Sequence, residues 1–251
     1  MMSMTVLEDI VLSAERGRKL FALLVDPEEH TVASAEALLE RVGSVPADLV
    51  LLGGSLVSRP VTPVAEVLHR HLKVPLVLFP GSLLQLTGEA DAVLMLTLLS
   101  GRNPQYLAGD QVTAAPMIRT MGLEVIPTAY LLVGEGHASA VEVVSGTPPL
   151  PERRRDIITA TALAAQYMGS RLVYLEKGSG ARGPLDSRVV AAVRETVEVP
   201  LVVGGGITRP EEAETLFRAG ADIVVVGNAA EKDASLIPVF RETARRYSQK
   251  E

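Results

Sequence analysis

Two glycine-rich stretches near the C-terminus of the 251-residue chain have the arrangement of a phosphate-binding site. Gly204, Gly205 and Gly206 follow the apolar run PLVV, and Gly227 and Asn228 follow the apolar run DIVVV. Glycine lets the backbone approach a ligand closely and direct amide N–H groups at it. The segment NAAEKD that begins at Asn228 predicts a short helix whose N-terminus favours an anion. The two stretches predict a phosphate site, with glycines that only make tight turns as the alternative.

A third segment, YLEKGSGARGP (174–184), offers groups that bind or deprotonate a hydroxyl. Tyr174 and Glu176 lie two residues apart, so they share one face of a strand. A carboxylate there accepts hydrogen bonds from a polyol hydroxyl or takes its proton. Lys177 suggests an alternative chemistry, a Schiff base of the kind that aldolases form. However, Lys177 is adjacent to Glu176 in the strand, so the two side chains are expected to point to opposite faces. We therefore expect Tyr174 and Glu176 to point into the site.

Asp26 and Ser55 are the candidate metal ligands. Asp26 ends an apolar run in LLVDPEEHT, and Ser55 ends another in LLGGS. Mg²⁺ usually takes one or two protein oxygens together with phosphates and waters, so a carboxylate that faces a phosphate site predicts a magnesium ligand. Ser55 is a plausible neighbour, directly or through water. In the alternative interpretation Asp26 caps the next helix. The histidines lack metal-ligand spacing and are interpreted as surface residues: His30, His69, His71 and His137.

These residues follow apolar runs that predict the strands of one sheet. Most of the runs are apolar without alternation, as in strands buried on both faces, and helical patterns separate most of them. This order predicts an α/β protein with a TIM-type (β/α)8 barrel, a single domain over residues 1–251; an open doubly wound sheet is the alternative. In such a barrel the strands' C-terminal ends carry the function. The predicted strands are residues 20–26, 49–54, 75–81, 92–97, 123–133, 171–177, 200–206 and 222–228.

Local patterns predict three features of the connections. The segment PGSLLQLTGEAD between the third and fourth strands is too short for a full crossover helix, so the helix after strand three is predicted to be absent or replaced by an extended segment. After strand five we expect an irregular loop and then a helix over about residues 153–168. After strand seven, Thr208 and Glu211 predict a capping box at the start of a helix that Gly220 ends.

Composition excludes several classes of protein. The net charge of −6 gives no indication of bulk nucleic-acid binding, and the absence of cysteine excludes disulfide and thiol chemistry. No apolar run reaches the roughly 18 residues of a membrane span. The first residues carry acids and lack the pattern of a secretory signal, so we expect a cytoplasmic protein.

The motifs together resemble the geranylgeranylglyceryl phosphate synthase family, which is related to the bacterial heptaprenylglyceryl phosphate synthases. LVDP, GGS, VLFPGS, LSGRNPQYL, VIPTAYLLV, YLEKGSGARGP, VVGGGI and VVGN occur in this order across nearly the whole chain. FPGS, LLSGRNPQYL and YLEKGSGA do not belong to barrels in general. The LLSGRNP form resembles the archaeal and Bacteroidetes branch.

The resemblance implies a prenyltransferase that joins sn-glycerol 1-phosphate to the C1 atom of geranylgeranyl diphosphate and releases pyrophosphate, with Mg²⁺. It implies Asp26 and Ser55 as the magnesium positions, and the glycine triplet with Gly227 and Asn228 as the phosphate amides. The implied glycerol phosphate segment is Tyr174, Leu175, Glu176, Lys177, Gly178, Ser179 and Gly180. The resemblance also implies a homo-oligomer, a dimer or a hexamer, and peripheral contact with the membrane because the product is a lipid.

Two departures from the family pattern stand out. Glu28, Glu29 and His30 stand where many members have a lysine after DP, which removes a diphosphate contact by that lysine. Lys177 stands where many members have alanine, and we expect it to face solvent. Arg102, Asn103 and Tyr106 are expected either to contact diphosphate or to build a subunit interface.

Two other functions stay open at this point. A phosphosugar isomerase or aldolase needs an inward-pointing lysine or a second acid–base pair, and it leaves Asp26 unexplained. A non-catalytic binder of phospholipid precursors is the other.

Overall fold

The computed structural model of the chain describes residues 4–135 and 139–248. Eight parallel strands form a closed barrel in which each strand pairs with the next along the chain, and β1 pairs with β8. The pairing of Leu20 with Ile223 closes the ring. The strands are β1 Leu20–Val25, β2 Leu49–Leu52, β3 Leu76–Leu78, β4 Ala92–Leu98, β5 Glu124–Leu132, β6 Leu172–Glu176, β7 Leu201–Gly204 and β8 Ile223–Val226. The predicted barrel is confirmed, and every predicted strand is present, with β4 one residue longer and the other strands shorter than predicted.

Side chains alternate between the barrel interior and the layer under the helices. Along β6, Leu172 and Tyr174 belong to the cluster of buried residues inside the barrel, whereas Val173 and Leu175 belong to the cluster between barrel and helices. The strands are apolar on both faces because both faces are buried, which explains why their sequences do not alternate. This parity decides which residues at the strand ends point to the barrel axis.

Helices cover the outside of the barrel except beside β3. They are α1 Val6–Glu15, α2 Val32–Val42, α3 Thr62–His71, α4 Asp110–Met121, α5 Ala140–Ser145, α6 Arg155–Tyr167, α7 Ser187–Arg194, α8 Pro210–Arg218, α9 Asn228–Lys232 and α10 Leu236–Tyr247. Residues 79–91, all of them described, contain the 3-10 turn Leu83–Gln85 and no α-helix between β3 and β4. The structure thus agrees with the prediction from the short spacing.

The N-terminal end of the barrel is closed by α1. The carboxylate of Glu124, at the start of β5, accepts hydrogen bonds from the backbone N–H groups of Val6 and Leu7 at 2.7 and 2.8 Å. Ile10, on the same helix, is buried with the interior cluster. Among the described residues, the opposite end of the barrel, where the strands have their C-termini, carries an open cavity.

The helix after β7 begins one residue later than the sequence predicts. Glu212, not Glu211, accepts hydrogen bonds from the backbone N–H groups of Thr208 and Arg209, at 2.8 and 3.1 Å. The N-cap is Arg209 because Pro210 occupies the first helical position, where its missing N–H costs no hydrogen bond. The predicted capping box of Thr208 and Glu211 is therefore wrong.

None of the helices in the two described ranges is long and apolar enough to cross a membrane.

Candidate functional site

A cavity of about 380 Å³ opens at the C-terminal ends of the strands. Its wall brings together segments that are far apart in the sequence, from the end of β1 to the start of α9. Ten of the predicted site residues line it: Asp26, Ser55, Tyr174, Glu176, Ser179, Gly180, Gly205, Gly206, Gly227 and Asn228. The barrel thus gathers most of the predicted site in one place. Direct contact of these residues with a substrate stays a prediction.

Two of the residues predicted to bind substrate have side chains that lie away from the cavity. Leu175 is fully buried in the cluster between barrel and helices, on the face opposite to Tyr174. Lys177 lies on the same outer face of the strand as Leu175. Its ammonium group pairs with the carboxylate of Glu152, and both side chains are mostly buried. Lys177 therefore faces neither the cavity nor the solvent that the sequence analysis expected for it. A Schiff-base role for this lysine has no geometric support.

Glu176 is the buried carboxylate of the cavity, with a residue exposure of only 7%. Its Oε1 atom accepts a hydrogen bond of 2.7 Å from the backbone N–H of Gly178. Burial raises the pKa of Glu176 to about 7, against the smaller lowering effect of that N–H. A carboxyl group with a pKa near neutral pH is well matched to proton transfer. Gly178 does not line the cavity but orients the carboxylate that does.

Tyr174 lies beside Glu176 on the inner face of β6 and is 1% exposed. Its hydroxyl oxygen is buried and lies close enough to the Glu176 carboxylate to lower the pKa of Glu176, although it forms no hydrogen bond of standard geometry with the described residues. The Tyr174 ring packs on those of Phe79 and Tyr130, with centroid distances of 5.1 and 5.3 Å. A buried hydroxyl beside a carboxylate on a cavity wall can donate a hydrogen bond to a polar ligand atom. Sequence analysis missed the ring cluster, although VLFPGS and PTAYLLV place Phe79 and Tyr130 at strand ends.

The glycine triplet makes room for these two side chains. A Cβ atom on Gly204 would collide with the Tyr174 hydroxyl, and one on Gly205 would collide with Oε1 of Glu176. Gly205 also has a φ of +87°, in the left-handed backbone region that residues other than glycine rarely adopt. The triplet therefore does more than expose amides: it allows β7 to lie against the polar residues of β6.

The predicted short helix after β8 is present as α9. Gly227 is its N-cap residue, and Asn228 is its first residue. The first N–H groups of a helix have no intrahelical partner, so they are available to an anion. The Ser179 hydroxyl donates a 3.3 Å hydrogen bond to Oδ1 of Asn228 and links the loop after β6 to this helix. These groups form a polar end of the cavity around Glu176.

Asp26 stands across the cavity mouth. Its Oδ1 atom accepts a 2.9 Å hydrogen bond from the backbone N–H of Glu28, and the N-cap of α2 is Thr31, so Asp26 does not cap that helix. Glu28 in turn accepts hydrogen bonds from Ser58, which joins the loops after β1 and β2, and Ser55 in the second of these loops lines the same cavity. The alternative capping interpretation of Asp26 is wrong.

The oxygen donors at the mouth fit a hard divalent cation. Burial raises the pKa of Asp26, and neither Asp26 nor Glu231 forms an ion pair with Lys or Arg within the described ranges. Glu231, which sequence analysis missed, lies in α9, and its Oε1 accepts the Asp26 N–H at 3.4 Å. Carboxylate and hydroxyl oxygens suit Mg²⁺. The described residues contain no group of three or more His, Cys, Asp or Glu side chains that could hold a metal ion; His137 lies outside them.

The cavity has an apolar arm on the side where the barrel lacks a helix. The arm runs past the 3-10 turn and β4 toward α4, and the residues that line it are Leu83, Leu86, Val93, Met95, Ala114 and Ile118. The buried side chain of Gln85 holds the turn in place, since its Oε1 and Nε2 atoms bond the backbone N–H and carbonyl of Gly54 at 3.2 and 2.7 Å. The absence of an α-helix beside β3 thus leaves a groove lined by apolar side chains.

The residues after β4 differ in their surroundings. Tyr106 lines the cavity, and its hydroxyl donates a 3.4 Å hydrogen bond to the carbonyl of Val144. Arg102 donates to the carbonyls of Leu99 and Gly101, so its guanidinium stabilises its own loop. Asn103 accepts a hydrogen bond from the N–H of Gln105.

Known proteins resemble this chain over nearly its full length. A family model described as "PcrB family" matches residues 13–244. Geranylgeranylglyceryl phosphate synthase of Spirosoma linguale is 44% identical over 98% of both chains, and that of Thermofilum pendens is 42% identical over 89% of this chain and 86% of its own length. The structure of (S)-3-O-geranylgeranylglyceryl phosphate synthase from Thermoplasma acidophilum in complex with substrate sn-glycerol-1-phosphate superimposes with a TM-score of 0.88 at 33% identity, over 97% of this chain and all of that chain.

We predict that Gly205→Ala destabilises the fold more than Gly43→Ala. Both glycines have positive φ, +87° and +75°, but a Cβ on Gly43 meets nothing within 4 Å, whereas one on Gly205 collides with Glu176. The control should cost about 1 kcal/mol of unfolding free energy, and the Gly205 variant about 1–3 kcal/mol more. Urea denaturation of both variants measures the difference. Equal losses would show that the contact with Glu176 imposes no constraint.

We also predict that the stability of the wild-type protein falls relative to Glu176→Gln as pH rises. The folded pKa of about 7 lies above the ordinary value of 4.5, so the folded state binds more protons in this window. Stability is lost from about pH 4.5 to pH 7 and then levels, with a total of roughly 3 kcal/mol. Denaturation midpoints of both proteins at pH 5 and pH 8 test this. A constant difference between the two would refute the shifted pKa.

Proposed function

The chain belongs to the PcrB family, and we propose that it joins sn-glycerol 1-phosphate to geranylgeranyl diphosphate with release of diphosphate. One observation carries the proposal: a single cavity combines a polar end around Glu176 with an apolar arm along β4 and α4. A glycerol phosphate fits the first part, and a prenyl chain fits the second. The relatives named above carry the name of this activity.

The polar end supports a role for Glu176 as general base. The 3-hydroxyl oxygen of glycerol phosphate forms a bond with C1 of the prenyl chain while the bond from C1 to the diphosphate oxygen breaks. The hydroxyl proton passes to Glu176, whose carboxylate the Gly178 N–H holds in place. The Tyr174 hydroxyl, which lies beside Glu176 on the cavity wall, orients the glycerol oxygen. Backbone amides of Gly205, Gly206, Gly227 and Asn228 bind the phosphate.

Mg²⁺ is part of the proposal. When bound, it neutralises the diphosphate leaving group. Asp26 would hold it, with the Ser55 hydroxyl as a second donor directly or through water, because both line the cavity mouth and neither is occupied by a lysine or arginine in the described residues. Glu231 adds a second carboxylate on the same wall. The protein offers few oxygen ligands here, which suits Mg²⁺ because this ion usually retains waters and binds substrate phosphate oxygens.

The other functions have less support. An aldolase or isomerase mechanism through a Schiff base needs a lysine in the barrel interior, and Lys177 instead pairs with Glu152 on the outside of β6. A non-catalytic binder leaves no role for a buried carboxyl group with a pKa of about 7. The proposed transfer reaction uses both ends of the cavity.

We place the enzyme in the cytoplasm, in peripheral contact with the membrane that receives its lipid product. We also propose a homo-oligomer, either a dimer or a hexamer. Apolar side chains are exposed on the helices after β4 and β5: Val112 is 74% exposed, Val143 69% and Tyr167 78%. An exposed apolar surface of this kind is typical of a protein interface.

The decisive experiment offers the protein labelled prenyl diphosphates of 15, 20 and 35 carbons with sn-glycerol 1-phosphate or its 3-phosphate enantiomer. We expect ether product from the 1-phosphate and the 20-carbon donor, and its loss when EDTA removes Mg²⁺. Preference for another chain length would change the donor but keep the chemistry. Folded protein that binds glycerol phosphate and transfers nothing from any donor would rule out a transferase.

Glu176→Gln should lower kcat by about 10²- to 10⁴-fold, the usual contribution of general base catalysis. Binding of glycerol phosphate should change much less, because an amide still fills the place of the carboxyl group. In the wild type, kcat/KM should rise about tenfold per pH unit below pH 7 and level above it, since the base must lose a proton whose pKa is about 7. Steady-state rates between pH 5 and pH 9 measure this. A flat profile, or a variant with full kcat, would remove Glu176 from the reaction.

A further inference from the structure

The charges on the cavity wall do not match the charges of the proposed substrates. The acidic residues that line the cavity are Asp26, Asp110, Glu176 and Glu231. Within the described residues the lining contains a single lysine or arginine, Lys232. Glycerol phosphate and a prenyl diphosphate are both anions, and bringing them together beside carboxylates is unfavourable unless cations compensate. In the proposed function, one Mg²⁺ and backbone amides provide part of that compensation. The ammonium group of Lys232 is the further positive charge on the described cavity wall.

Lys232 is free to act on a ligand. Its side chain is exposed, and it takes part in no hydrogen bond or ion pair in the part of the chain that the structure describes. Two other lysines at strand ends have partners already: Lys19 pairs with Asp222 at 3.0 Å, and Lys177 pairs with Glu152. A lysine carries a compact charge on a flexible side chain, so its ammonium group can reach a phosphate group at the rim of a cavity.

The position of Lys232 in α9 indicates which substrate it meets. The helix begins at Asn228, which accepts the hydrogen bond from Ser179 at the polar end of the cavity. It ends at Lys232, next to Glu231, whose carboxylate accepts the N–H of Asp26. Four residues of α-helix span about 6 Å. The helix therefore runs from the glycerol phosphate end to the Asp26 wall, and Lys232 lies at the second of these.

We propose that Lys232 binds the diphosphate of the prenyl substrate and so distinguishes the donor site from the glycerol phosphate site. This inference rests on the proposed function. The ammonium group compensates charge that Asp26 and Glu231 bring to the wall, and it stabilises the diphosphate that leaves as the C1–oxygen bond breaks. Its role is in binding the leaving group, not in proton transfer, which belongs to Glu176.

The test uses equilibrium binding of two probes, inorganic diphosphate with Mg²⁺ and sn-glycerol 1-phosphate, measured by calorimetry. Lys232→Gln should weaken diphosphate binding by about 10- to 100-fold, the range of a hydrogen bond to a charged group, and change glycerol phosphate binding less than twofold. Lys232→Arg should retain most of the diphosphate affinity. Lys73→Gln is the matched control, because Lys73 is also exposed, lies at the opposite end of the barrel before β3, and carries the same charge.

Each of the following results would overturn the inference. Unchanged diphosphate affinity in Lys232→Gln would remove the contact. Equal weakening of both probes, or equal weakening by Lys73→Gln, would show an effect of net charge alone. A wild type that binds glycerol phosphate but no diphosphate would refute the proposed donor site together with Lys232. If instead the wild type transfers prenyl groups and Lys232→Gln keeps its KM for the prenyl diphosphate, only the inference about Lys232 fails.

Discussion

Closure of the parallel barrel is the constraint on which the other features of this protein depend. Once β1 pairs with β8, every strand has one face toward the axis and one toward the helices, and all the C-terminal ends lie on one rim. Asp26 and Glu176 are 150 positions apart in the chain but occupy inward positions on that rim. The helix α1, held by Glu124, fills the other end. The fold thus determines both where a ligand enters and which residues it meets.

Inside this frame, the site depends on placing polar groups where water is scarce. Glu176 and Tyr174 are buried on β6, and the small residues of β7 allow the strand to lie against them. Burial raises the pKa of the carboxyl group into the range where proton transfer is efficient. The Tyr174 hydroxyl is buried beside the same carboxyl group and lines the cavity. Both polar groups therefore face the cavity.

The connection between β3 and β4 shows how a departure from the regular barrel creates specificity. A helix there would cover β3 and β4, as helices cover the other strands. The 3-10 turn Leu83–Gln85, fixed by Gln85 to the loop after β2, leaves an apolar groove that continues from the polar end of the cavity. An amphiphilic substrate can occupy both parts at once, which a closed regular barrel would not permit.

From the sequence alone we could predict the barrel, the presence of its strands, the missing helix and ten of the residues on the cavity wall. Short-range signals carry these features, because apolar runs, glycines and spacing are read within a few residues. Only the tertiary structure decided the partners. Lys177 pairs with Glu152, Glu231 joins Asp26, Phe79 and Tyr130 pack on Tyr174, and Glu212 rather than Glu211 caps α8. The contacts of Lys177, Asp26 and Tyr174 join strands and loops that are far apart in the chain, so no local sequence pattern indicates them. The raised pKa of Glu176 likewise depends on its burial by the whole barrel.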